Sequence, residues 1–361
     1  MKNAATRRDF LRVSAPLLAG AASLAKTRAA GLPPLEPGIK ISVQSPADPS
    51  AEYLQFLKQL GVEYVNVGAP KELRTAEGFI TIKKRYEAAG IKVWNIGNAS
   101  VHNMEEVTLN LPGRDQKIEE YKQYLRNLAQ AGIHYTTYAH MGNGIWSSSP
   151  AETRGARTRQ FNQADPNKEG RWDGKVWREP LSHGREYSPA EIWDNYAYFI
   201  RQVAPLAEEL GIRIGIHPDD PPVPVLAGVP RCIFSSFEGY RKAFEIAASP
   251  NIGMCLCVGC WLEGGELMGR DVIETIRYFG KQRKIFKVHF RNVSAPLPHF
   301  VETFMDNGYM DMSKVMRALE EVNFDGVVIL DHSPAMVGGN YAQIAYGVAY
   351  MRALKNKTKS A

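Results

Sequence analysis

Cysteine is scarce in this chain: four stand among 361 residues, at positions 232, 255, 257 and 260. So few thiols exclude a scaffold held together by disulfides, and the lack of a second Cys-x-x-Cys pair excludes a zinc knuckle. Alternation along a strand puts Cys255 and Cys257 on the same face, which disfavours a disulfide between them. The run from Cys255 to Cys260 is either a redox or zinc pair, or one metal-binding cysteine beside others that act as core hydrophobes. We favour the second interpretation.

Strong charge of one sign is also missing once the first thirty residues are set aside. The formal net charge is +6, but residues 1–30 carry six basic side chains against Asp9 and account for +5 of it. The remaining +1 excludes a basic surface of the kind that binds nucleic acid. No later segment approaches the ~20 apolar residues of a membrane span. We therefore expect no nucleic-acid partner, and no membrane span once the first thirty residues are removed.

Those first thirty residues have the pattern of an export leader. Thr6 to Arg12 resembles a twin-arginine motif, an apolar run follows from Val13 to Leu24, and the segment closes on Ala29 and Ala30. The apolar run is shorter than the ~20 residues of a bilayer span. An amphipathic leader helix or a lone membrane anchor is the alternative. We predict a twin-arginine signal peptide over residues 1–30 and a periplasmic location.

Eight short apolar or β-branched runs alternate with amphipathic helical stretches through the rest of the chain. Several runs follow a helix end marked by glycine, as at Gly61 and Gly211, where a left-handed residue closes the helix. This alternation predicts an α/β fold, a (β/α)₈ TIM barrel that forms one domain over residues 31–361. An open doubly wound sheet is the alternative, but no glycine-rich phosphate loop follows the first run. The predicted strands are 39–44, 63–68, 92–97, 134–141, 213–218, 252–259, 285–291 and 326–332.

Two long connections interrupt this rhythm, one after the fourth strand and one after the fifth. The first runs from Gly142 to about Ser188 and is rich in glycine, serine, arginine and tryptophan, whereas the second, from Asp219 to Phe237, is rich in proline. Loops of this length in a compact domain are usually functional lids or disordered segments. Because both follow strands at the rim where barrel sites are built, we expect lids.

Four of the predicted strands end in residues that bind metals. His217 follows the fifth apolar run, Cys257 the sixth, His289 the seventh, and Asp331 with His332 the eighth. The carboxyl ends of barrel strands share one rim, so two imidazoles, a thiolate and a carboxylate can converge on one divalent ion. Each residue alone has an ordinary alternative, such as a core histidine or an N-cap aspartate. Four at matching positions favour a metal site, and zinc, manganese or iron(II) would suit these ligands.

Further motifs surround these residues: Ile216-His217-Pro218-Asp219-Asp220-Pro221-Pro222, Gly228-Val229-Pro230-Arg231, Leu256-Cys257-Val258-Gly259, His289-Phe290-Arg291-Asn292, Asp311-Met312 with Val315 to Leu319, and the helix from Tyr121 to Ile133. Together they closely resemble the bacterial mannonate dehydratases, over most of the chain after the leader. The resemblance implies a barrel related to xylose isomerase. It also implies a Mn²⁺ (or Fe²⁺) site at His217, Cys257, His289 and Asp331.

The reaction that the resemblance implies is loss of water from D-mannonate to give 2-keto-3-deoxy-D-gluconate, a step of hexuronate breakdown. The proton on carbon 2 is weakly acidic because the neighbouring carboxylate is already anionic, so a metal that chelates substrate oxygens is useful. His332 is the expected base, and Tyr346 the expected acid for the carbon 3 hydroxyl. Arg231 and Arg291 would hold the carboxylate or the hydroxyl groups of the substrate by bidentate hydrogen bonds. The alternative is that they form structural ion pairs. The predicted substrate-binding residues are Arg231, Arg291, Asn292, Asp219 and Trp146.

The chain departs from the family at two places. Gly144 to Ser149 replaces an aromatic–acidic–Trp–Thr–Arg stretch, and Ser333-Pro334 stands where glycine usually follows the Asp-His pair. Two other functions therefore stay open: a sugar isomerase, epimerase or keto-glycoside lyase on the same barrel, and a non-catalytic periplasmic carbohydrate-binding protein. A base beside a metal ligand counts against the binding protein. We expect a small sugar acid as the substrate and a homo-oligomer as the assembly.

Overall fold

The computed structural model describes residues 32–359, so the predicted signal peptide lies outside the described residues. Within this range the strands are β1 (Lys40–Ser45), β2 (Tyr64–Gly68), β3 (Lys92–Gly97), β4 (Tyr135–Tyr138), β5 (Ile145–Ser147), β6 (Ala151–Thr153), β7 (Ala156–Thr158), β8 (Gln160–Asn162), β9 (Glu169–Trp172), β10 (Lys175–Arg178), β11 (Arg213–Ile216), β12 (Val225–Leu226), β13 (Val229–Pro230), β14 (Ile252–Cys257), β15 (Ile285–His289), β16 (Asn292–Val293), β17 (His299–Thr303) and β18 (Val327–Ile329).

The helices are α1 (Ala51–Gln59), α2 (Ala76–Glu87), α3 (Ala99–His102), α4 (Glu105–Thr108), α5 (Arg114–Gln130), α6 (Pro189–Glu209), α7 (Phe237–Ala247), α8 (Val258–Gly264), α9 (Val272–Lys281), α10 (Met312–Glu321) and α11 (Gly339–Lys359). None of those within residues 32–359 combines the length and the apolar character needed to cross a bilayer.

Eight of the strands form one parallel sheet that curves into a nearly closed barrel. Their order is β3-β2-β1-β18-β15-β14-β11-β4, and a backbone bridge between Asn103 and Ala139 joins the segments that follow the two edge strands. The predicted (β/α)₈ barrel is confirmed, with each of the eight predicted strands present. Several end earlier than predicted, as at Cys257, where α8 begins with the next residue.

Glycine ends the helices that precede four barrel strands, as the sequence predicted. Gly61, Gly90, Gly132 and Gly211 have φ of 60°, 75°, 64° and 63°, in the left-handed region where a Cβ is costly. Helix α6 begins with a capping box, in which Ser188 and Glu191 satisfy each other's backbone N–H groups. These signals fix where the helices end or begin, and so where the adjoining barrel strands can start.

Side chains fill the barrel toward the amino-terminal ends of its strands, and this leaves the opposite rim for a site. Gly215 of β11 makes room there for Tyr135, because a Cβ at position 215 would lie 2.5 Å from the tyrosine hydroxyl. A separate, larger cluster packs the strands against the helices. The interior group consists of Tyr64, Trp94, Tyr135, Phe286, Val327 and Ile329.

The connection after β4 is more ordered than its loop-like composition indicates. It contains six short strands, and β8 pairs with β17 from the connection after β15. Strands β5, β9 and β10 form a second small sheet. We call β5 to β10 together with β16 and β17 the lid, because its side chains contact residues at the carboxyl rim of the barrel, as Arg159 does with Asp220.

Candidate metal centre

The four predicted ligands come from the carboxyl ends of four consecutive barrel strands. Cys257 and His289 are the last residues of β14 and β15, and the two strands hold them side by side in register. His217 continues β11, because its N–H donates to the Tyr138 carbonyl at 2.8 Å. Asp331 follows β18 by two residues. Donor atoms of Cys257, His289 and Asp331 all lie within 4.8 Å of one another.

Hydrogen bonds fix how the two imidazoles point. Nδ1 of His217 lies 2.7 Å from the Pro218 carbonyl, which can only accept, so this nitrogen carries the proton. Nε2 of His217 is therefore the free donor atom. Nε2 of His289 lies 3.4 Å from Cys255 Sγ, which leaves Nδ1 on the side of Asp331. Partners of this kind on the second ring nitrogen orient metal-binding histidines.

The residues fit a divalent metal ion. Nδ1 of His289 lies 3.2 Å from Asp331 Oδ1, yet this buried nitrogen makes no hydrogen bond to the carboxylate or to any other described group. Two possible metal-binding atoms that lie close together without a hydrogen bond between them are well placed to bind one ion in common. Two imidazoles, a thiolate and a carboxylate form a donor set that suits zinc, manganese or iron(II).

Arg291 holds the anionic groups of the centre together. Its Nη2 donates to Cys257 Sγ at 3.3 Å and its Nε lies 3.3 Å from Asp331 Oδ2. Gly259 allows this approach, because a Cβ there would lie 2.4 Å from Arg291 Nε. Burial opposes ionisation of Cys257, but a hydrogen bond from Cys260 and the Arg291 charge hold the pKa of this thiol well below its usual value. This lowering of the pKa favours the thiolate, which is the form of cysteine that binds metals.

His332 lies beside the ligands and against a buried glutamate. Its Nδ1 is 2.7 Å from Glu302 Oε2 and its Nε2 is 3.2 Å from Asp331 Oδ2. Burial lowers the pKa of His332, but the carboxylates of Glu302 and Asp331 outweigh it and raise this pKa to about 9. Burial also opposes ionisation of Glu302, but His332, Arg291 and Arg159 lower the pKa of this carboxyl to about 2. His332 and Glu302 therefore form a charged pair.

Sequence reasoning missed three charged residues that complete this network, two in the lid and Glu263 on α8. Arg159, between β7 and β8, donates to Glu302 at 2.8 Å and to Asp220. Glu263 accepts from Arg291 at 2.6 Å, and burial raises the pKa of this glutamate to about 8. Neither Arg159 nor Glu302 stands at the end of a barrel strand, so the pattern that predicted the ligands gave no signal for them.

A cavity of about 670 Å³ opens in front of His332 and Asp331. Polar side chains from the ends of β1 and β18 and from the start of α11 surround it, so hydroxyl-bearing molecules would find hydrogen-bond partners there. Its polar lining includes Gln44, Ser45, Tyr53, Ser333, Asn340 and Gln343.

Three of the predicted substrate-binding residues donate their hydrogen bonds to groups within the protein. Arg231, 2% exposed, donates to the carbonyls of Asp220, Pro221 and Gly144 and to Asn143. Asn292 donates to the Met305 and Met310 carbonyls. The Trp146 indole donates to the Asn143 carbonyl at 3.0 Å. The described contacts place these three as braces of the lid and its neighbours, and their role in substrate binding stays a prediction.

Asp219 is buried, and the Tyr346 hydroxyl is hydrogen-bonded to another carboxylate. Burial raises the pKa of Asp219 to about 6, against the lowering effect of the Arg231 and His217 charges. The Tyr346 hydroxyl donates to Asp306 Oδ1 at 2.6 Å, and Asp306 in turn pairs with Arg154 at 2.7 Å. The structure thus brings donor atoms of Cys257, His289 and Asp331 within 4.8 Å of one another and that of His217 within 4.8 Å of Cys257. His332 and Arg291 lie beside these predicted ligands, and the Tyr346 hydroxyl lies against Asp306.

Comparison with known proteins identifies relatives along nearly the whole described chain. The profile of the D-mannonate dehydratase (UxuA) family matches residues 54–359. Mannonate dehydratase of Thermotoga neapolitana is 31% identical over 334 residues, which cover 83% of this chain and 90% of that protein. Mannonate dehydratase of Oceanobacillus iheyensis is 32% identical over 294 residues, which cover 76% of this chain and 81% of that protein.

Solved structures agree with this match. The crystal structure of mannonate dehydratase from Streptococcus suis serotype 2 superposes with a TM-score of 0.76 at 25% identity, over 90% of this chain and 95% of that one. A xylose isomerase domain protein from Planctomyces limnophilus has a TM-score of 0.59 at 16% identity, over 90% of this chain and all of that one, and shows the fold alone.

These relatives also correct one expectation from the sequence. The predicted periplasmic location is wrong, because the mannonate dehydratases that the chain matches are cytosolic enzymes. The pattern behind the prediction, a pair of arginines before a short apolar run, is brief and not specific to exported proteins. It also falls within residues 1–30, outside the described part of the chain.

Proposed function

The chain belongs to the mannonate dehydratase family, and we propose that it acts as a hydro-lyase that converts D-mannonate to 2-keto-3-deoxy-D-gluconate at the centre described above. The observation that carries this proposal is the family match over residues 54–359. It favours the dehydratase over the isomerase, epimerase, keto-glycoside lyase and binding protein that the sequence left open. A homo-oligomeric assembly stays a prediction.

We propose that His217, Cys257, His289 and Asp331 hold the divalent ion on which this family depends, and that the ion is Mn²⁺ or Fe²⁺. A bound divalent cation supplies a Lewis acid that stabilises negative charge developing on substrate oxygens. Arg291 keeps Cys257 and Asp331 anionic and in place through contacts of 3.3 Å to each. Because Arg291 is 1% exposed, we assign it to ordering the ligands.

His332 is the group that we propose removes the proton from carbon 2. Its side chain is 47% exposed and faces the cavity beside Asp331. Glu302, at 2.7 Å, accepts a hydrogen bond from the protonated Nδ1 and so leaves Nε2 as the atom that exchanges a proton with substrate, in the fraction of His332 that has lost its Nε2 proton. A carboxylate behind an imidazole both fixes the tautomer and stabilises the imidazolium that forms.

Departure of the carbon 3 hydroxyl needs a proton donor, and we propose Tyr346 for this step. Burial and the hydrogen bond to Asp306 raise the pKa of this phenol above its ordinary value, so it keeps its proton at neutral pH. It would have to turn from Asp306, to which it donates at 2.6 Å, toward the cavity. The polar cavity wall, with Gln44, Asn340 and Gln343, is our candidate for binding the remaining hydroxyl groups.

A coupled assay of Mn²⁺-loaded protein on D-mannonate tests the proposal. The parent should release a 2-keto-3-deoxy acid, whereas His332→Asn should lower kcat by about 100-fold or more, as expected for loss of a general base. His332→Asn should still bind Mn²⁺ and should lose exchange of the carbon 2 proton with deuterated water. Cys257→Ser should instead lose affinity for Mn²⁺.

Two outcomes would contradict the proposal in different ways. If both variants match the parent in kcat and in affinity for Mn²⁺, the assigned centre is wrong. If the parent turns over a neutral sugar but releases no keto acid from D-mannonate, the centre stands and the reaction is an isomerisation or epimerisation.

A further inference from the structure

Cys260 has no role in the proposed reaction, yet it lies beside the proposed ligand Cys257. Cys257 and Cys260 are separated by Val258 and Gly259, and their Sγ atoms lie within 4.8 Å of each other. The Cys260 N–H donates to Cys257 Sγ at 3.5 Å. Nη2 of Arg291 donates to both sulfur atoms at 3.3 Å. This places the two thiols face to face, with one guanidinium spanning them.

We propose that Cys257 and Cys260 form a reversible disulfide when a hydroperoxide reaches the centre, and that this modification withdraws Cys257 from the metal. The inference rests on the proposed role of Cys257 as a ligand. A sulfur atom in a disulfide is no longer a thiolate, which is the form that binds metals. The disulfide and the metal site therefore exclude each other.

The chemistry balances with hydrogen peroxide as the oxidant. The Cys257 thiolate attacks one peroxide oxygen, the O–O bond breaks, and the hydroxide that leaves takes up a proton to give water. Cys257 is then a sulfenic acid. The Cys260 sulfur attacks the Cys257 sulfur, the S–OH bond breaks, and a second water leaves with the Cys260 proton. Two thiols and one peroxide thus yield one disulfide and two waters, and a thiol reductant reverses the change.

Access and competition both point to this pair. The cavity is lined by Asp331, whose Oδ2 lies 3.9 Å from Cys257 Sγ, so one side chain stands between the cavity and the buried thiol. Cys255 is two residues back along β14 and its sulfur contacts His289 at 3.4 Å. Cys232 lies away from the centre, with its sulfur 3.8 Å from the Pro189 carbonyl. Cys260 is the partner that the geometry offers.

Peptide mapping of peroxide-treated protein tests the inference. Chelator-stripped and Mn²⁺-loaded protein would each be treated with hydrogen peroxide, the remaining thiols alkylated, and the tryptic peptide 243–270 analysed by mass spectrometry. In the stripped parent this peptide should lack two hydrogen atoms, carry one alkyl group on Cys255, and give no backbone fragments between Cys257 and Cys260. With Mn²⁺ at ten times its Kd, the disulfide should form about tenfold more slowly.

Variants separate the two cysteines. Cys260→Ser should stop at the sulfenic acid, which dimedone traps on Cys257, whereas Cys232→Ser should behave like the parent in every readout. The oxidised parent should lose Mn²⁺ affinity in a calorimetric titration and regain it after reduction.

The inference is overturned if the stripped parent forms no 257–260 disulfide, or if Mn²⁺ gives no protection. It is also overturned if the oxidised parent keeps its Mn²⁺ affinity, or if Cys260→Ser shows no dimedone adduct on Cys257. No readout uses D-mannonate, so a protein that forms the disulfide but does not dehydrate D-mannonate would refute the proposed function alone.

Discussion

At the scale of single residues, the strand-end positions of the predicted ligands followed from the sequence and their hydrogen-bond partners did not. His217, Cys257, His289 and Asp331 stand at matching positions in the repeat, and the parallel register of β14 and β15 brings two of them side by side. Glu302 lies on β17, in the lid, and only the fold carries it to 2.7 Å from His332. A periodic pattern predicts what the strands align, whereas contacts made by irregular insertions depend on the whole tertiary structure.

Glu302→Gln should change the pH dependence of the proposed base. The Glu302 carboxylate is the chief cause of the raised pKa of His332, about 9, so neutralising it should lower this pKa by about one unit or more. If neutral His332 accepts the carbon 2 proton, the rising limb of kcat/KM against pH should move to lower pH. Glu266→Gln, which neutralises an exposed carboxylate, should leave the profile unchanged. An unshifted limb in Glu302→Gln would rule out the proposed pairing.

At the scale of elements, the eight barrel strands were predictable, whereas the short strands inside the expected lid were not. Barrel strands are buried on both faces and read as short apolar runs between glycine-ended helices. The lid strands are two to five residues long and mostly polar, so neither alternation nor length marks them. Charge pairing ties the lid to its neighbours: Arg159 contacts Asp220, Glu263 and Glu302, which reach it from three different connections.

Arg159→Ala should loosen the lid without removing the metal site. The side chains of Asp220, Glu263 and Glu302 are 4%, 0% and 3% exposed, and removing one partner of a buried charge pair costs about 3 kcal/mol or more. Denaturant unfolding should show this loss, and hydrogen exchange should rise in β8 and β17 while Mn²⁺ still binds. Arg171→Ala, at a pair where the arginine is 63% exposed, should cost about 1 kcal/mol at most. Equal losses in the two variants would show that Arg159 does not anchor the lid.

At the scale of the whole molecule, the predicted ligands span the second half of the chain, from residue 217 to residue 331, and come from four strands that are consecutive in the barrel. In the sheet order β11 adjoins β14, β14 adjoins β15, and β15 adjoins β18. One ion bound at their carboxyl ends would therefore cross-link half of the barrel wall. The other half, β1 to β4, contributes no predicted ligand, which makes it an internal reference for the effect of the metal.

Mn²⁺ should therefore stabilise the protein unevenly. With Mn²⁺ at a hundred times its Kd, binding to the folded state alone should add about 2.7 kcal/mol to the free energy of unfolding, and Tm should rise by several degrees, since about 1 kcal/mol shifts a domain of this size by roughly 2–4 °C. Hydrogen exchange should slow at the carboxyl ends of β11, β14, β15 and β18 and stay nearly constant in β2 and β3. Cys257→Ser should show little of either effect, whereas Cys232→Ser should show both. Equal slowing of exchange in β2 and β3 would mean that the ion binds elsewhere or that the barrel responds as one unit, and it would remove the argument for a cross-link confined to these four strands.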